Sequence, residues 1–449
     1  MTEEKNKSLR DWLKQILWIA LPISIQSLFQ SSFSVIDQMM VGSLGESSIA
    51  SIGLGGRFPT VFFFTAGSIS VGASILMSQF RGKSDLFSFS KAFTICLKWG
   101  VILTSLFFAV SYFFSAPLMS LFTEDTAVQS LGATYLMVVS IGFFPGFLST
   151  MVASLLRNTN KAKLPMISTI LAVMLNTFLN YVLIFGHFGF EAMGVKGAAI
   201  ATTVARFFEL GFILIFFVVH QKRDVYRIQW NTPKNPSLSK TALRVTAPIL
   251  LSELAWSLGE AVYGIIYGHI GTNEMAAMTL MGPVVILSIG LFAGVYQAAS
   301  ILVGNQLGKK DYDSALRMGK LSIRIGVIGT LLCAVLIFIF ANAYSGLFRI
   351  DPATRQTTIS LLWAYATVLW IKVSNMILGG ILKSGGKTTI VLMMDLIGTW
   401  GIGIPLGALS AFVFHMNVTW VYLFIAVEEL VRLMIGYRIF LKKRWIQTL

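Results

Sequence analysis

Cysteine is nearly absent: two residues in 449, Cys96 and Cys333, both inside apolar runs. That number and spacing exclude a disulfide framework and a CxxC metal site. Histidine is almost as scarce, and His187, His220, His269 and His415 are scattered with no HExxH pair. There is no GxSxG and no DDxxD-type pair of acids, so an enzyme is not expected and neither a cofactor nor a bound metal is implied. Charge is the third shortage. Only 12% of residues are charged, against about 25% in a soluble domain. Polar sequence long enough to fold alone is missing too, because nearly every residue lies in or beside an apolar run. The N-terminal MTEEKNKSLRDWLKQ carries acids and is followed by no small-residue cleavage site, so it does not read as a cleavable signal.

What remains is apolar. Hydrophobic residues make up 55% of the chain and the mean hydropathy is +0.75, which places it in the integral-membrane class. Twelve helical runs are read, at about 12–40, 48–79, 93–122, 127–156, 164–186, 192–219, 241–267, 274–306, 316–348, 354–382, 388–413 and 417–440. Each supplies the roughly 20 residues a bilayer demands. The fold class is therefore all-α, with twelve transmembrane helices in two pseudo-symmetric six-helix bundles.

The net charge of +15 invites a nucleic-acid reading, but the basic residues sit in short loops between apolar runs. One set of loops holds Lys5, Lys7, Arg10, Arg81, Lys83, Arg157, Lys161, Lys163, Lys222, Arg223, Arg227, Lys234, Lys240, Lys309, Lys310, Lys383, Lys387, Lys442, Lys443 and Arg444. The other holds little beyond Lys196, Arg349 and Arg355 and carries Glu46, Glu124, Asp125 and Glu274. The bias expects a multi-pass plasma-membrane protein with both termini cytoplasmic, and no nucleic-acid partner. The stretch 220–240, with Pro233 and Pro236, is the longest polar loop. It separates an N-lobe at 1–219 from a C-lobe at 241–449.

The two halves repeat at a constant offset of 226 residues. Pro22 matches Pro248, Gly42 matches Gly268, and Gly45 matches Gly271. Ala73-Ser74-Ile75-Leu76 matches Ala299-Ser300-Ile301-Leu302. Asp85 matches Asp311, Asp125 matches Asp351, and Arg206 matches Arg432. Six spans per copy is an even number, so the copies run parallel about an axis along the membrane normal, a transporter architecture.

The repeat sorts the polar residues inside the spans. A residue present in both halves serves the scaffold; one present in a single half is a candidate for function. Asp37 faces Tyr263 across the repeat and is therefore unique to the first half. A carboxylate in hydrocarbon needs a partner, a water-filled cavity or a proton. Asn176 and Asn180 in span 5 are four residues apart, on one helix face. They lie at a depth similar to that of Asp37, roughly 8 Å below the helix ends at ~1.5 Å per residue, and the three form a candidate coupling-ion or proton site. In the second half, Glu253, Lys372 and Asp395 come to one level by the same arithmetic, as a charged site or a structural ion pair. Glu260 is a separate candidate facing Tyr263 or Tyr267. Arg206 with Glu209, and Arg432 with Glu428 and Glu429, have the spacing of scaffold ion pairs.

At this point the sequence resembles the multidrug and toxic compound extrusion (MATE) family, within the multidrug/oligosaccharidyl-lipid/polysaccharide flippase superfamily. The residues that carry the resemblance span nearly the whole chain. They are Ala20-Leu21-Pro22 followed fifteen residues on by Asp37 in VIDQMMVGSLG, AAIATTVAR at 198–206, ILKSGGK at 381–387, and Trp400 with Pro405 in WGIGIPLG. The resemblance implies two six-helix lobes around a cleft and antiport of organic cations or amphiphiles against protons or sodium by a monomer among membrane lipids. Asp37 matches the family's first-lobe acid. Many members carry an acid where Asn180 stands, which makes this cluster less negative and favours a proton over sodium. Many have a glutamate eight residues after the span 7 proline, where this chain has Trp256, and an acid where it has Lys372. The alternative within the superfamily is a flippase for a lipid or a lipid-linked saccharide.

Overall fold

The computed structural model describes residues 9–221, 228–230, 235–348 and 350–447. Of the charge and turn positions read from the sequence, Lys5, Lys7, Lys222, Arg223, Arg227, Pro233, Lys234 and Arg349 lie outside the described residues, as does part of the 220–240 loop. Among the described residues every regular element is a helix.

In the first half these are α1 (Leu9–Gly42), α2 (Glu46–Gly55), α3 (Arg57–Gly82), α4 (Leu86–Phe113), α5 (Ser115–Ser120), α6 (Thr126–Ile141), α7 (Phe143–Asn158), α8 (Lys163–Phe185) and α9 (Gly194–Gln221). The second half holds α10 (Pro236–Ile270), α11 (Thr272–Gly308), α12 (Tyr312–Ser345), α13 (Pro352–Ser384), α14 (Thr388–Asp395), α15 (Ile404–Ala408) and α16 (Val418–Leu441). A π-helical stretch, Leu396–Gly403, joins α14 to α15, and a second, Leu409–Val413, continues α15, so that the whole forms one span.

Among the described residues ten helices are long and apolar enough to cross a membrane, α2 with α3 and the α14–α15 run each being one of them. The pair α6 and α7, bent by 43° at Gly142, makes a further span. The twelfth is α16, 24 residues long but carrying Glu428, Glu429, Arg432 and Arg438. Its charges hide it from hydropathy alone; Glu428, Glu429 and Arg432 are admitted because they find partners within the protein. The fold is thus all-α with twelve transmembrane helices.

Local chemistry explains where these helices begin. Asp85 caps α4 by accepting from Ser88 N at 2.9 Å, and its repeat partner Asp311 caps α12 through Ser314 N at 3.1 Å. Asp125 caps α6 and its partner Asp351 caps α13 in the same way, each through the second and third amides of the helix. Each carboxylate satisfies amides that have no partner within the helix. The acids shared by both halves are helix caps, which is why duplication preserved them.

The chain forms two compact units. One is Ile25–Thr246. The other joins the residues up to Ser24 with those from Ala247 onward. The boundaries fall beside the matched prolines Pro22 and Pro248, so α1 and α10 each contribute to both units. The first turns of α1 group with the second half of the sequence, where the loop at 220–240 alone would have placed them with the first. The physical reason is a close approach in that unit: a Cβ on Gly294 of α11 would collide with Ala20 O, and Ser24 Oγ donates to Leu291 O at 2.5 Å.

Candidate functional site

In the Ile25–Thr246 unit, α8 supplies the hydrogen bonds to Asp37 of α1. Asn180 Nδ2 donates to its Oδ1 at 2.9 Å and Thr177 Oγ1 donates to the same oxygen at 3.3 Å. Asn176, with its amide turned to satisfy both of its polar atoms, donates to Asp37 Oδ2 at 2.8 Å and accepts from Thr202 N at 3.2 Å. Asn176 and Thr177 both lie on the helix face of Asn180, which is four and three residues beyond them on α8. Asp37 is half-buried and Asn180 is buried. Tyr135 of α6 lies within electrostatic reach of the carboxylate. Every hydrogen-bond donor to Asp37 is neutral. Among the described residues no basic side chain stands within ion-pair distance of it. Asn180 Oδ1, also buried, accepts no hydrogen bond. The three residues read from the sequence are thus brought together; Thr177 and Thr202 are additions that only the tertiary structure supplies.

A second polar network runs through the same unit. Arg206 Nη1 pairs with Glu209 Oε2 at 3.1 Å, and the Arg206 guanidinium sits 4.9 Å from the Phe63 ring centroid. Glu209 Oε1 accepts from Thr169 Oγ1 at 2.7 Å. Thr169 in turn accepts from Gln26 Nε2 at 2.8 Å, and Gln26 Oε1 accepts from Arg157 Nη2 at 3.0 Å. The polar chain ties α1, α7, α8 and α9 together. Scarcity of water in a membrane interior makes each unmade bond there costly.

The other unit organises its charges differently from the expected meeting of Glu253, Lys372 and Asp395. Lys372 Nζ lies 3.6 Å from Glu429 Oε1, while Lys383 Nζ lies 3.8 Å from Glu253 Oε1. Asp395 pairs with Arg432 and accepts from Ser252 Oγ. Helix-end arithmetic fixes depth but not azimuth, and these three side chains point to three different partners. Arg432 also lies 3.7 Å from Glu429, as its spacing predicts. Glu428 does not share that pair; it accepts from Tyr263 OH at 2.8 Å. Asn375 Nδ2 donates to both Glu429 O and Glu429 Oε2 at 2.7 Å. Glu260 is exposed on α10, within electrostatic reach of Lys372, Glu429, Tyr263 and Tyr267.

The repeat relates the two networks position by position. Arg206, Thr169, Gln26 and Arg157 correspond to Arg432, Asp395, Ser252 and Lys383. In both units the arginine is held by an acid, and the side chain at the Thr169/Asp395 position accepts from the one at the Gln26/Ser252 position. The acids differ. In one unit the arginine is held by Glu209, three residues along its own helix; in the other it is held by Asp395 on α14 together with Glu429, three residues back on α16. Gln26, Thr169, Ser252 and Asn375 carry no charge to mark them in a membrane helix, and Arg157 stands in the sequence as one of the basic loop residues, with nothing to show that it turns back to Gln26.

Among the described residues no group of three or more His, Cys, Asp or Glu side chains is placed to hold a metal ion. Both cysteines are free.

Comparison with known proteins follows the same division. A family model described as MatE matches residues 22–182 and 248–409. A probable multidrug resistance protein NorM of Agrobacterium fabrum is 26% identical over 408 residues, covering 89% of this chain and 87% of its own. Among solved structures, a MATE transporter of Vibrio cholerae superposes with a TM-score of 0.89 at 18% identity, covering 97% of this chain and 98% of that one. A transporter of the MOP superfamily from Pyrococcus furiosus, described as having a binding pocket of reversed polarity, superposes with a TM-score of 0.87 at 22% identity, covering 96% and 95%.

Proposed function

The chain belongs to the MatE family, and from that membership we propose that it is a secondary active exporter of cationic or amphiphilic organic compounds, driven by protons through Asp37. Its relatives are transporters, and its apolar helices make it a multi-pass membrane protein. The cytoplasmic placement of both termini, from the loop charges, and the plasma-membrane location are part of the same proposal.

The observation that carries the reading is the set of partners around Asp37. A carboxylate held by a cation is locked in its charged form. One held by Asn176, Thr177 and Asn180 is supported by dipoles alone, so a proton can discharge it without stranding a buried positive charge. Asn180, by turning its amide so that Oδ1 takes the place of Nδ2, can accept from the hydroxyl of a protonated Asp37. Discharge loosens the pull of α1 on α8 and α9, and that change is the local event that favours one access state over the other. The proton enters from the outside, substrate leaves, and the proton is released inside on return. No covalent chemistry is involved. A membrane potential of 100 mV contributes ~2.3 kcal/mol per net charge moved, enough for a tens-fold gradient of a neutral amphiphile; exchange of one proton for one monovalent cation moves no net charge and draws on the pH difference instead.

The same unpaired Asn180 Oδ1, beside a carboxylate, is also a donor set that a sodium ion accepts, so the test has two drives. Purified protein in liposomes is supplied with external ethidium and given a proton gradient (lumen acidic) or a sodium gradient (lumen high) at equal membrane potential. The proton gradient is expected to drive uptake into the lumen of inverted carriers and the sodium gradient is not. Asp37→Asn is expected to retain its fold and lose at least about tenfold of proton-driven accumulation. Full activity of that variant under the proton gradient overturns the reading. Lys372 among the acids of the second unit favours a check of the flippase alternative, and a fluorescent-lipid scrambling assay on the same liposomes supplies it.

A further inference from the structure

The 226-residue offset that relates the two halves carries Asp37 onto Tyr263 and Thr202 onto Glu428. In the first unit the acid is on α1, and Thr202 on α9 is linked to it through Asn176, which accepts from the Thr202 backbone amide. In the second the hydroxyl is on α10 and the acid is on α16, joined directly by the 2.8 Å bond from Tyr263 OH to Glu428 Oε2. The same corner of each bundle holds one carboxyl, on opposite helices.

The third wall of that corner differs in a way that makes room for the exchange. Asn176, Thr177 and Asn180 of α8 correspond to Ile402, Gly403 and Leu406. The carboxamides are gone. In place of Thr177 stands a glycine in the π-helical stretch, and a Cβ there would collide with the Tyr263 hydroxyl and lie 2.6 Å from Glu428 Oε2. The bare backbone at Gly403 lets the phenol reach the acid. Tyr263 is also hydrogen-bonded to Thr399. Both side chains of the pair are buried, at 5% and 6% exposure.

The charged and titratable neighbours come from every packed element. On α16 itself are Glu429 and Arg432; from α13 comes Lys372; from α10 come Glu260 and Tyr267. Arg432 is engaged by Asp395 and Glu429, and Lys372 by Glu429. Glu428 is left with a neutral phenol as its direct partner, as Asp37 is left with amides and a hydroxyl. An acid whose direct partner is neutral can lose its charge without breaking an ion pair.

We propose that Glu428, positioned by Tyr263 and Gly403, is a second proton-carrying carboxyl of this transporter, the counterpart of Asp37 in the other unit. It rests on the proton-driven reading of the family role. The step is a proton transfer alone: a proton from water adds to the Glu428 carboxylate and returns to water, while Tyr263 keeps its own.

The test is infrared difference spectroscopy of the full chain in phosphatidylcholine vesicles, following the carbonyl band of protonated carboxyl groups as pH is stepped. Asp37→Asn is expected to remove one titrating component and Glu428→Gln another. Tyr263→Phe is expected to keep the Glu428 component but shift its frequency and its titration midpoint. A Glu428→Gln spectrum superimposable on that of the unsubstituted protein overturns the proposal. Should that variant fail to fold, an unmoved band in Tyr263→Phe overturns it equally. In liposomes, the slope of log ethidium accumulation against imposed pH difference is expected to fall by about half in Glu428→Gln; an unchanged slope counts against a coupling role. If Asp37→Asn retains full proton drive, the Asp37 reading fails while the infrared result for Glu428 still stands or falls by itself.

Discussion

Arg432 shows how a single residue is chosen by its surroundings. It sits on α16 between Asp395 and Glu429, both buried, and Gly398 leaves space for its stem, since a Cβ there would lie 2.7 Å from Arg432 Cγ. A planar guanidinium can serve two carboxylates at once where a lysine ammonium cannot. Arg432→Gln leaves two buried acids short of their cation, and breaking such a pair costs about 3–5 kcal/mol. The expected result is a large drop in the thermal midpoint of the detergent-solubilised protein, with little rescue by Arg432→Lys. A midpoint within a degree or so of the parent, where ~1 kcal/mol moves a domain by several degrees, runs against this account.

At the scale of elements, the spans were legible because apolar runs of bilayer length have few other uses. The breaks within them were not. Gly142, where α6 bends into α7, and the π-helical turns of Leu396–Gly403 leave no periodicity signal strong enough to read. Caps were half legible: the repeat singled out Asp85, Asp125, Asp311 and Asp351, and the structure supplied the amides they accept. Asp351 gives a pH consequence. The Thr354 hydroxyl, then the Thr354 and Ala353 amides, hydrogen-bond its charged form and hold its carboxyl below the ordinary 3.8. A depressed folded value means the cap contributes above the unfolded value and is lost as pH falls through the folded one. Amide exchange at Ala353 and Thr354 is therefore expected to accelerate only below that ordinary value, in excess of the intrinsic pH dependence. Acceleration beginning near neutrality removes the assignment.

At the scale of the molecule, duplication explains both what is alike and what is not. The arginines at 206 and 432 and the four capping acids are held in common, whereas the acids near them are not. Each unit also has its own polar network, from which we expect its stability to be separable. Arg206→Gln uncouples Glu209 from its cation within the Ile25–Thr246 unit. Hydrogen exchange is expected to rise in peptides of that unit and to stay unchanged in peptides beyond Ala247. A uniform rise across the chain means the two units unfold together.

The residue order by itself determined the membrane class, the number of spans, the repeat and the singularity of Asp37, because each of these is a one-dimensional pattern of hydropathy, charge or offset. Which acids meet which bases was decided only by the tertiary structure. Depth along a helix can be counted in residues, but azimuth depends on how neighbouring helices pack. That is why Asn176 and Asn180 reached Asp37 as expected from one shared helix face, while Glu253, Lys372 and Asp395, on three helices, each turned to a different partner. Glu428 lies between the two cases: its spacing pointed to Arg432, and a glycine in a π-helical turn allowed Tyr263 to reach it.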